Sequence, residues 1–447
     1  MKDPRQHFEL TRREFLSSAA SAAALPFLLS LGGEAAAQAV TAPAAPRPAK
    51  AKSMIQIWMW GGPSHLDTFD PKPEAGRDYC GPLDKPIATN VDGIRICQLL
   101  PMLAQQADKY SILRSMTHGI NAHETAAYRM QTGRTAGGGT VYPSVGAVVS
   151  LFKGYDQGYK SLIPPYVVLT TPQGRFSESG FLGPKYKPFF TGGDPSKTPF
   201  LVEGLVVEGL TRERRDQRRT LLQSLDTLGK ADAKNELFQQ INQADDQAYA
   251  RIEGDAAKVF DLSTESEAMR EGYGKNWFGQ SCLVARRLVE QGVPYITINY
   301  RGWDTHKRHF ETIQRMEPEM DRGMATLLAD LSERGLLDST IVWWGGEFGR
   351  TPRIGWEAPW YGGRGHYGPC FSVVVAGGGF KGGHVVGASD ATGEQVAERP
   401  VAPQDLLGSF YELLGIDPDG RMPNNQNLDV PVMTSPSAAG RLKEIMG

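Results

Sequence analysis

The chain predicts an α/β fold with a mostly parallel central sheet, and three features carry that expectation. Five largely apolar runs, at 54–60, 165–169, 295–299, 340–344 and 371–375, read as strands covered on both faces. Between the third and fourth of them, residues 317–334 place Met320, Met324, Leu327, Leu328 and Leu331 on one helical face. The first run stops at Gly61-Gly62-Pro63, the kind of break that opens a loop at the carboxyl edge of a sheet.

In chain order, Thr11-Arg12-Arg13-Glu14-Phe15-Leu16 leads into a modestly apolar run from Ser17 to Leu31 and a small-residue site at Ala37-Gln38-Ala39. This order of charge, apolar run and small residues reads as a twin-arginine export signal over residues 1–39, which places the protein in the periplasm or outside the cell. A Pro/Ala-rich linker follows at 40–52, and 53–447 is expected to form a single domain. A charged helical insertion at about 211–261 interleaves Arg212, Arg214 and Arg215 with Glu213 and Asp216, so it either caps a site or coats the fold. The tail beyond Asp417 is rich in Pro, Asn and Ser and reads as loop.

Composition narrows the function by exclusion. The 447 residues carry 48 Lys and Arg against 50 Asp and Glu, a formal charge of −2. The signal region holds four of each sign, so its removal leaves that balance unchanged. A near-neutral surface argues against nucleic acid or an anionic membrane as partner. No apolar run beyond the signal reaches the roughly 18 residues that span a bilayer. Cys80, Cys97, Cys282 and Cys370 form no CxxC pair. Cys80 and Cys97 either close a loop or are buried free thiols.

Four strand-end motifs concentrate histidine and carboxylate, the mixture that a borderline divalent cation such as zinc prefers. In Gly62-Pro63-Ser64-His65-Leu66-Asp67, His65 and Asp67 read as ligands, although an Asx turn would explain Asp67 alone. In Gly302-Trp303-Asp304-Thr305-His306, Asp304 and His306 stand two positions apart just after a strand, so both can turn toward one ion. His309 reads as a surface residue or a support for a ligand. In Gly346-Glu347-Phe348-Gly349-Arg350, Glu347 reads as a ligand and Arg350 as a fork of donors for a tetrahedral oxyanion, with a buried Glu–Arg pair as the alternative. His366, before the last strand, completes the set.

Two motifs are set aside. Gly377-Gly378-Gly379-Phe380-Lys381-Gly382 fits GxGxxG, but no helix follows it, so it reads as a turn. Cys80-Gly81-Pro82-Leu83-Asp84 starts like the CxPxR element of sulfatases, but Asp84 stands where the arginine belongs, which argues against a formylglycine nucleophile.

The stretches Gly61 to Pro73, His123 to Arg134, Tyr142 to Gly146, GWDTH, GEFGRTP and Ala376 to Gly383 resemble the DUF1501 family of exported bacterial proteins, related to the sulfatase and alkaline-phosphatase superfamily. The resemblance implies an alkaline-phosphatase-like α/β/α sandwich with metal-binding loops along one edge. Counting back from Thr132-Gly133 sets His123 where the superfamily's nucleophile begins a helix, with Thr125 two residues later. His123 would attack, bind metal or exchange protons, and Thr125 is the alternative nucleophile. By the same resemblance Asp67 is the first-strand metal aspartate, Asp304 and His306 the Asp/His pair, Glu347 the following acid and His366 the last histidine. Many family members read GRDH where this chain has Gly365, so one carboxylate is missing. The implied function is a divalent-metal-dependent hydrolase (Zn, Ca or Mg) of sulfate or phosphate esters on a small molecule or polysaccharide. A non-catalytic metal- or glycan-binding protein on the same fold is the alternative.

Overall fold

A computed structural model of the chain describes residues 48–169, 177–203, 217, 255–424 and 428–447. The residues read as an export signal, most of those read as linker and most of those read as a helical insertion lie outside the described residues. Residues Ala42–Gly447 form one compact unit.

Eight strands make the central sheet: β1 (Ser53–Trp60), β2 (Tyr110–Met116), β3 (Tyr166–Leu169), β4 (Phe189–Phe190), β5 (Tyr295–Arg301), β6 (Thr340–Gly345), β7 (Phe371–Ala376) and β8 (His384–Val386). Their spatial order is β8-β2-β7-β6-β1-β5-β3-β4. Every pairing is parallel except those of β7, which runs antiparallel to both β2 and β6. The α/β class and the mostly parallel sheet are therefore as the sequence predicts.

Five helices of nine residues or more flank the sheet among the described residues: α1 (His123–Thr132), α2 (Val145–Lys153), α3 (Trp277–Glu290), α4 (His309–Glu333) and α5 (Pro403–Leu413). The two-residue side-chain period of a strand splits β1 between two cores. Ile55, Ile57 and Met59 pack with Leu283 of α3 and Met320, Met324 and Leu327 of α4. Met54 and Trp58 face the other way, with Met130 of α1, Val148 of α2 and Phe410 of α5. Helices thus cover both faces, and β1 is apolar on both sides apart from Ser53 and Gln56 because both sides are buried. Removing a side chain of this size from water contributes roughly 2 kcal/mol.

β2 shows no continuous apolar run, because Ser111, Arg114 and Ser115 interrupt it. The serine hydroxyls are satisfied by donating to the Lys381 and Arg399 carbonyls at 2.6 Å each. α4 begins eight residues before the predicted start and runs through Pro318, so the segment at His309 is helix and His309 is buried. All four cysteines are buried free thiols. Gly377, Gly378 and Gly379 make a left-handed turn, as expected of a decoy, and His384–Val386 is an edge strand. Among the described residues no helix is long and apolar enough to cross a membrane.

Candidate metal centre

The strand order assembles the site. β6, β1 and β5 are neighbours running in one direction, so their carboxyl ends deliver Glu347, Gly61 and Asp304 to the same place. Gly61 has φ 111° and allows the close approach: a Cβ there would lie 2.2 Å from the Asp304 nitrogen. A short antiparallel pair, Gly349–Arg350 with His366–Tyr367, sets His366 opposite Arg350. α1 begins at His123, with Ala122 as its N-cap, and brings that imidazole to the same edge.

Asp304 is the hub. Its Oδ1 lies 3.0 Å from His366 Nε2 and 3.1 Å from His306 Nε2, and it accepts an ion pair from Arg350. Its Oδ2 is 3.3 Å from His123 Nε2. Burial pushes the Asp304 carboxyl up, but hydrogen bonds from His123 and Arg350 and the Arg350 charge outweigh it and hold the group far below the carboxylate range. The other nitrogen of His123, Nδ1, donates to Glu347 Oε1 at 2.6 Å. A histidine between two carboxylates keeps both protons, and the bonds to Asp304 and Glu347 raise His123 to about 9.

His366 is oriented from behind. Its Nδ1 lies 2.8 Å from the Asn121 carbonyl, which can only accept, so Nδ1 carries the proton and Nε2 presents a lone pair. His306 Nε2 is 2.8 Å from that lone pair, and burial lowers the His306 pKa, with Asp304 opposing. Two acceptor atoms, His366 Nε2 and Asp304 Oδ1, therefore face each other at 3.0 Å, with His306 Nε2 within hydrogen-bond reach of both. A proton on His306 relieves part of the repulsion; a cation relieves all of it. Glu347 Oε1 also accepts the Gly61 N–H at 2.9 Å, while Glu347 Oε2 is buried with no partner among the described residues. The donor set fits a divalent cation: Asp304 Oδ1, His306 Nε2 and His366 Nε2 lie 2.8–3.1 Å from one another, and a ring nitrogen of His123 falls within 4.8 Å of the Asp304 and His366 ligand atoms.

Other predicted residues lie elsewhere. Asp67 is not at this cluster. It is buried against Arg364, with Nε 2.7 Å from Oδ2 and Nη2 3.0 Å from Oδ1, and accepts from His309 Nε2 at 2.9 Å. The Gly61-Gly62-Pro63 turn carries the chain away from the strand end, and a turn closed by Asp70 N–H on the His65 carbonyl, 2.8 Å, fixes the new direction. His65 turns to the Gly393 carbonyl at 2.8 Å and is held neutral chiefly by burial. His309 is a partner of Asp67, not a surface residue. Thr125 is exposed, and its hydroxyl donates to the Ala122 carbonyl at 3.2 Å rather than facing the cluster. Arg350 pairs with Asp304, not Glu347, and the rest of its fork is committed to the carbonyls of Gly61, Gly62 and Arg364.

The family model DUF1501, described as a protein of unknown function, matches residues 51–445. The chain belongs to the DUF1501 family. No curated protein matches it. Among solved structures, this DUF1501 protein is similar to Ps i-CgsB in complex with k-i-k-neocarrahexaose, at 12% identity and TM-score 0.40, covering 86% of this chain and 75% of that one. It is similar to the PsFucS1 sulfatase from Pseudoalteromonas sp. at 14% identity and TM-score 0.35, covering 82% and 68%. It is also similar to a mutant of the alkaline phosphatase PafA at 10% identity and TM-score 0.39, covering 90% and 100%.

Around the DUF1501 cluster stand residues that the motifs do not single out. The Trp60 ring stacks on His123 with centroids 5.8 Å apart, and Phe348 lies 4.5 Å from His366. His118 Nε2 donates to the Glu347 carbonyl at 2.7 Å, its Nδ1 accepts the Ile120 N–H at 3.0 Å, and burial lowers its pKa to about 4. Its place five residues before His123, in the same Gly-containing loop, is the signal that points to it.

Proposed function

We propose that this DUF1501 protein is an exported, metal-dependent hydrolase of sulfate or phosphate esters, with residues 1–39 as a removable signal, 40–52 as linker and 53–447 as the folded domain. The observation that carries the reading is the convergence of His123, the Asp304/His306 pair and His366 from three separate segments onto one point, at distances of 2.8–3.3 Å between neighbouring atoms. Asp304, His306 and His366 would hold the ion, with His123 and Glu347 beside it. A divalent cation bound there supplies Lewis-acid polarisation of the ester oxygen.

The chain's own residues do the rest. His123 holds a proton at Nε2 and gives it to the departing alkoxide as the ester bond breaks, with Glu347 fixing the ring through Nδ1. Trp60 and Phe348 shield that ring from water. Arg350 positions Asp304 from beneath the sheet edge. With Thr125 turned to Ala122, water is the nucleophile; as its oxygen bonds to phosphorus or sulfur and the ester bond breaks, it loses a proton to solvent, and His123 regains its own from solvent.

The second reading, a metal- or glycan-binding protein without turnover, is favoured by one observation: Arg350 is fully buried and four of its five N–H donors are bonded within the protein, so it offers no free fork to an oxyanion. Metal analysis of the purified exported protein, with p-nitrophenyl phosphate and p-nitrophenyl sulfate as substrates, separates the two. Stoichiometric metal with turnover supports the hydrolase; metal without turnover supports binding. A protein that takes up no divalent ion ends the hydrolase and the metal-binding reading and leaves glycan binding alone.

A further inference from the structure

We infer that the loop at 355–363 is a glycan-docking platform, on which Trp356, Trp360 and Tyr361 receive the sugar rings of an anionic oligosaccharide whose ester group reaches the His306 side of the cluster. The inference deepens the hydrolase reading and rests on it for the ester end of the ligand alone.

Large aromatics are usually buried, yet within six residues Trp356, Trp360 and Tyr361 are 37%, 45% and 61% exposed. Concentrated exposure of this kind marks a binding surface. The loop is held firmly. Gly355 N–H bonds the Gly363 carbonyl at 3.0 Å, Gly362 N–H bonds the Gly355 carbonyl at 2.9 Å, and the Trp360 carbonyl accepts from Arg308 N–H at 3.0 Å. Trp356 stacks on Phe310 at 5.9 Å and 18°, and its indole N–H donates to Asp78 at 3.2 Å. Aromatic faces fixed before binding cost little ordering entropy when a ligand arrives.

The platform adjoins the metal centre. The Trp360 ring lies 6.3 Å from the His306 ring, and a cavity of about 340 Å³ is lined by both. On the far side of the loop a second cavity, about 660 Å³, is lined by Trp356 and Tyr361. Both volumes fall within the range of roughly 300–1,000 Å³ typical of ligand clefts. A ligand longer than one ring could thus run from the ester site across the aromatic loop.

The chemistry of the rim selects the occupant. A pyranose offers an apolar face of C–H groups, which packs on an indole, and an edge of hydroxyls, which needs polar partners. Arg353 lines the first cavity, and Arg77 and Arg308 line the second opposite Asp84 and Glu311, with Arg77 5.7 Å above the Trp356 ring. Their acidic neighbours are distant, 3.8 Å from Arg308 to Glu311 and 3.9 Å from Arg353 to Asp78, and such exposed pairs hold weakly. The guanidinium groups of Arg353 and Arg308 can therefore turn to sulfate or carboxylate groups along a glycan. A protein-docking face would instead have an apolar core depleted of charge.

The test uses the mature protein and its Trp356→Ala and Trp360→Ala variants, whose exposed side chains leave the fold intact by thermal melting. Iota-carrageenan, chondroitin sulfate and dextran sulfate, each beside its desulfated form, serve as probes in affinity electrophoresis and tryptophan fluorescence. At least one sulfated polymer should bind, its desulfated form more weakly, and each substitution should weaken binding by about tenfold. The inference is overturned if none of the polymers binds, if the variants bind as the parent does, or if the aromatics instead carry the protein onto phosphatidylcholine vesicles. Should the parent turn over neither aryl ester while Trp-dependent polymer binding persists, the hydrolase reading fails and the platform stands.

Discussion

His306 Nε2 and His366 Nε2 lie 2.8 Å apart although 60 residues separate them in the chain. Two imidazoles meet nitrogen to nitrogen only around a shared proton or a cation, and the Asn121 carbonyl behind His366 fixes which nitrogen faces inward. We therefore predict that His306→Ala and His366→Ala each lose divalent-ion affinity by at least about tenfold. Calorimetric titration of the metal-free protein with zinc measures this directly, and unchanged affinity in both variants would remove the metal centre.

Asp67 gives the opposite prediction. Its carboxylate belongs to the Arg364–His309 network, so Asp67→Asn should leave metal stoichiometry unchanged and lower stability instead. Removing one member of a buried charged pair typically costs about 3–5 kcal/mol. Burial pushes this carboxyl up, but the Arg364 charge and the His309 hydrogen bond bring it down to about 2 from 3.8. A depressed carboxylate stabilises the fold fully above its unfolded pKa, and the contribution is lost as pH falls through the folded value. The parent should thus lose roughly 2 kcal/mol between about pH 4 and pH 2. Urea unfolding across that window checks it, and a variant that keeps the same acid slope would contradict the assignment.

What the sequence made legible follows from its local character. The apolar runs named five of the eight sheet strands because strands covered on both faces need no distant information to be recognised. β2 escaped because its buried serines are satisfied by carbonyls of residues 381 and 399, which no local pattern reveals. Asp304, His306, Glu347 and His366 were readable as site residues because each sits just beyond a strand end or in a short pair bound to one. Asp67 and His65 carry the same local signature, but a turn redirects them. Only the fold distinguishes a carboxylate facing His366 from one facing Arg364.

His123 should titrate far from an ordinary histidine. Its hydrogen bond to Asp304, followed by that to Glu347, raises it to about 9, so in metal-free protein the ring stays charged at neutral pH. A histidine raised above its unfolded value near 6.5 stabilises the fold fully below that value, and the contribution is lost as pH rises through about 9. The imidazole chemical shift of His123 followed from pH 6 to pH 10 reads this out. Glu347→Gln should lower the midpoint, and a midpoint near 6.5 in the parent would refute the bridging arrangement. As the proton donor, His123 should also matter to rate: His123→Ala should lower kcat on aryl esters by roughly 100-fold or more.

Gly61 tests whether the strand ends must touch. Its φ of 111° is one that side chains rarely adopt, and an added Cβ would lie 2.2 Å from Asp304 N and 2.6 Å from the Trp303 carbonyl carbon. Those neighbours are backbone and cannot swing aside. The φ penalty alone is about 1–3 kcal/mol, and relieving the clash means pushing the Asp304 loop off the end of β1. Gly61→Ala should therefore melt several degrees lower and bind zinc more weakly even where it folds, because Asp304 moves relative to Glu347. Gly76→Ala makes the matched control: its φ is also positive, at 84°, but no atom lies within 4 Å of the added Cβ. That variant should lose stability while keeping its metal. If both substitutions lowered zinc affinity equally, backbone strain would account for the loss, and the contact between β1 and the Asp304 loop would not be what holds the centre together.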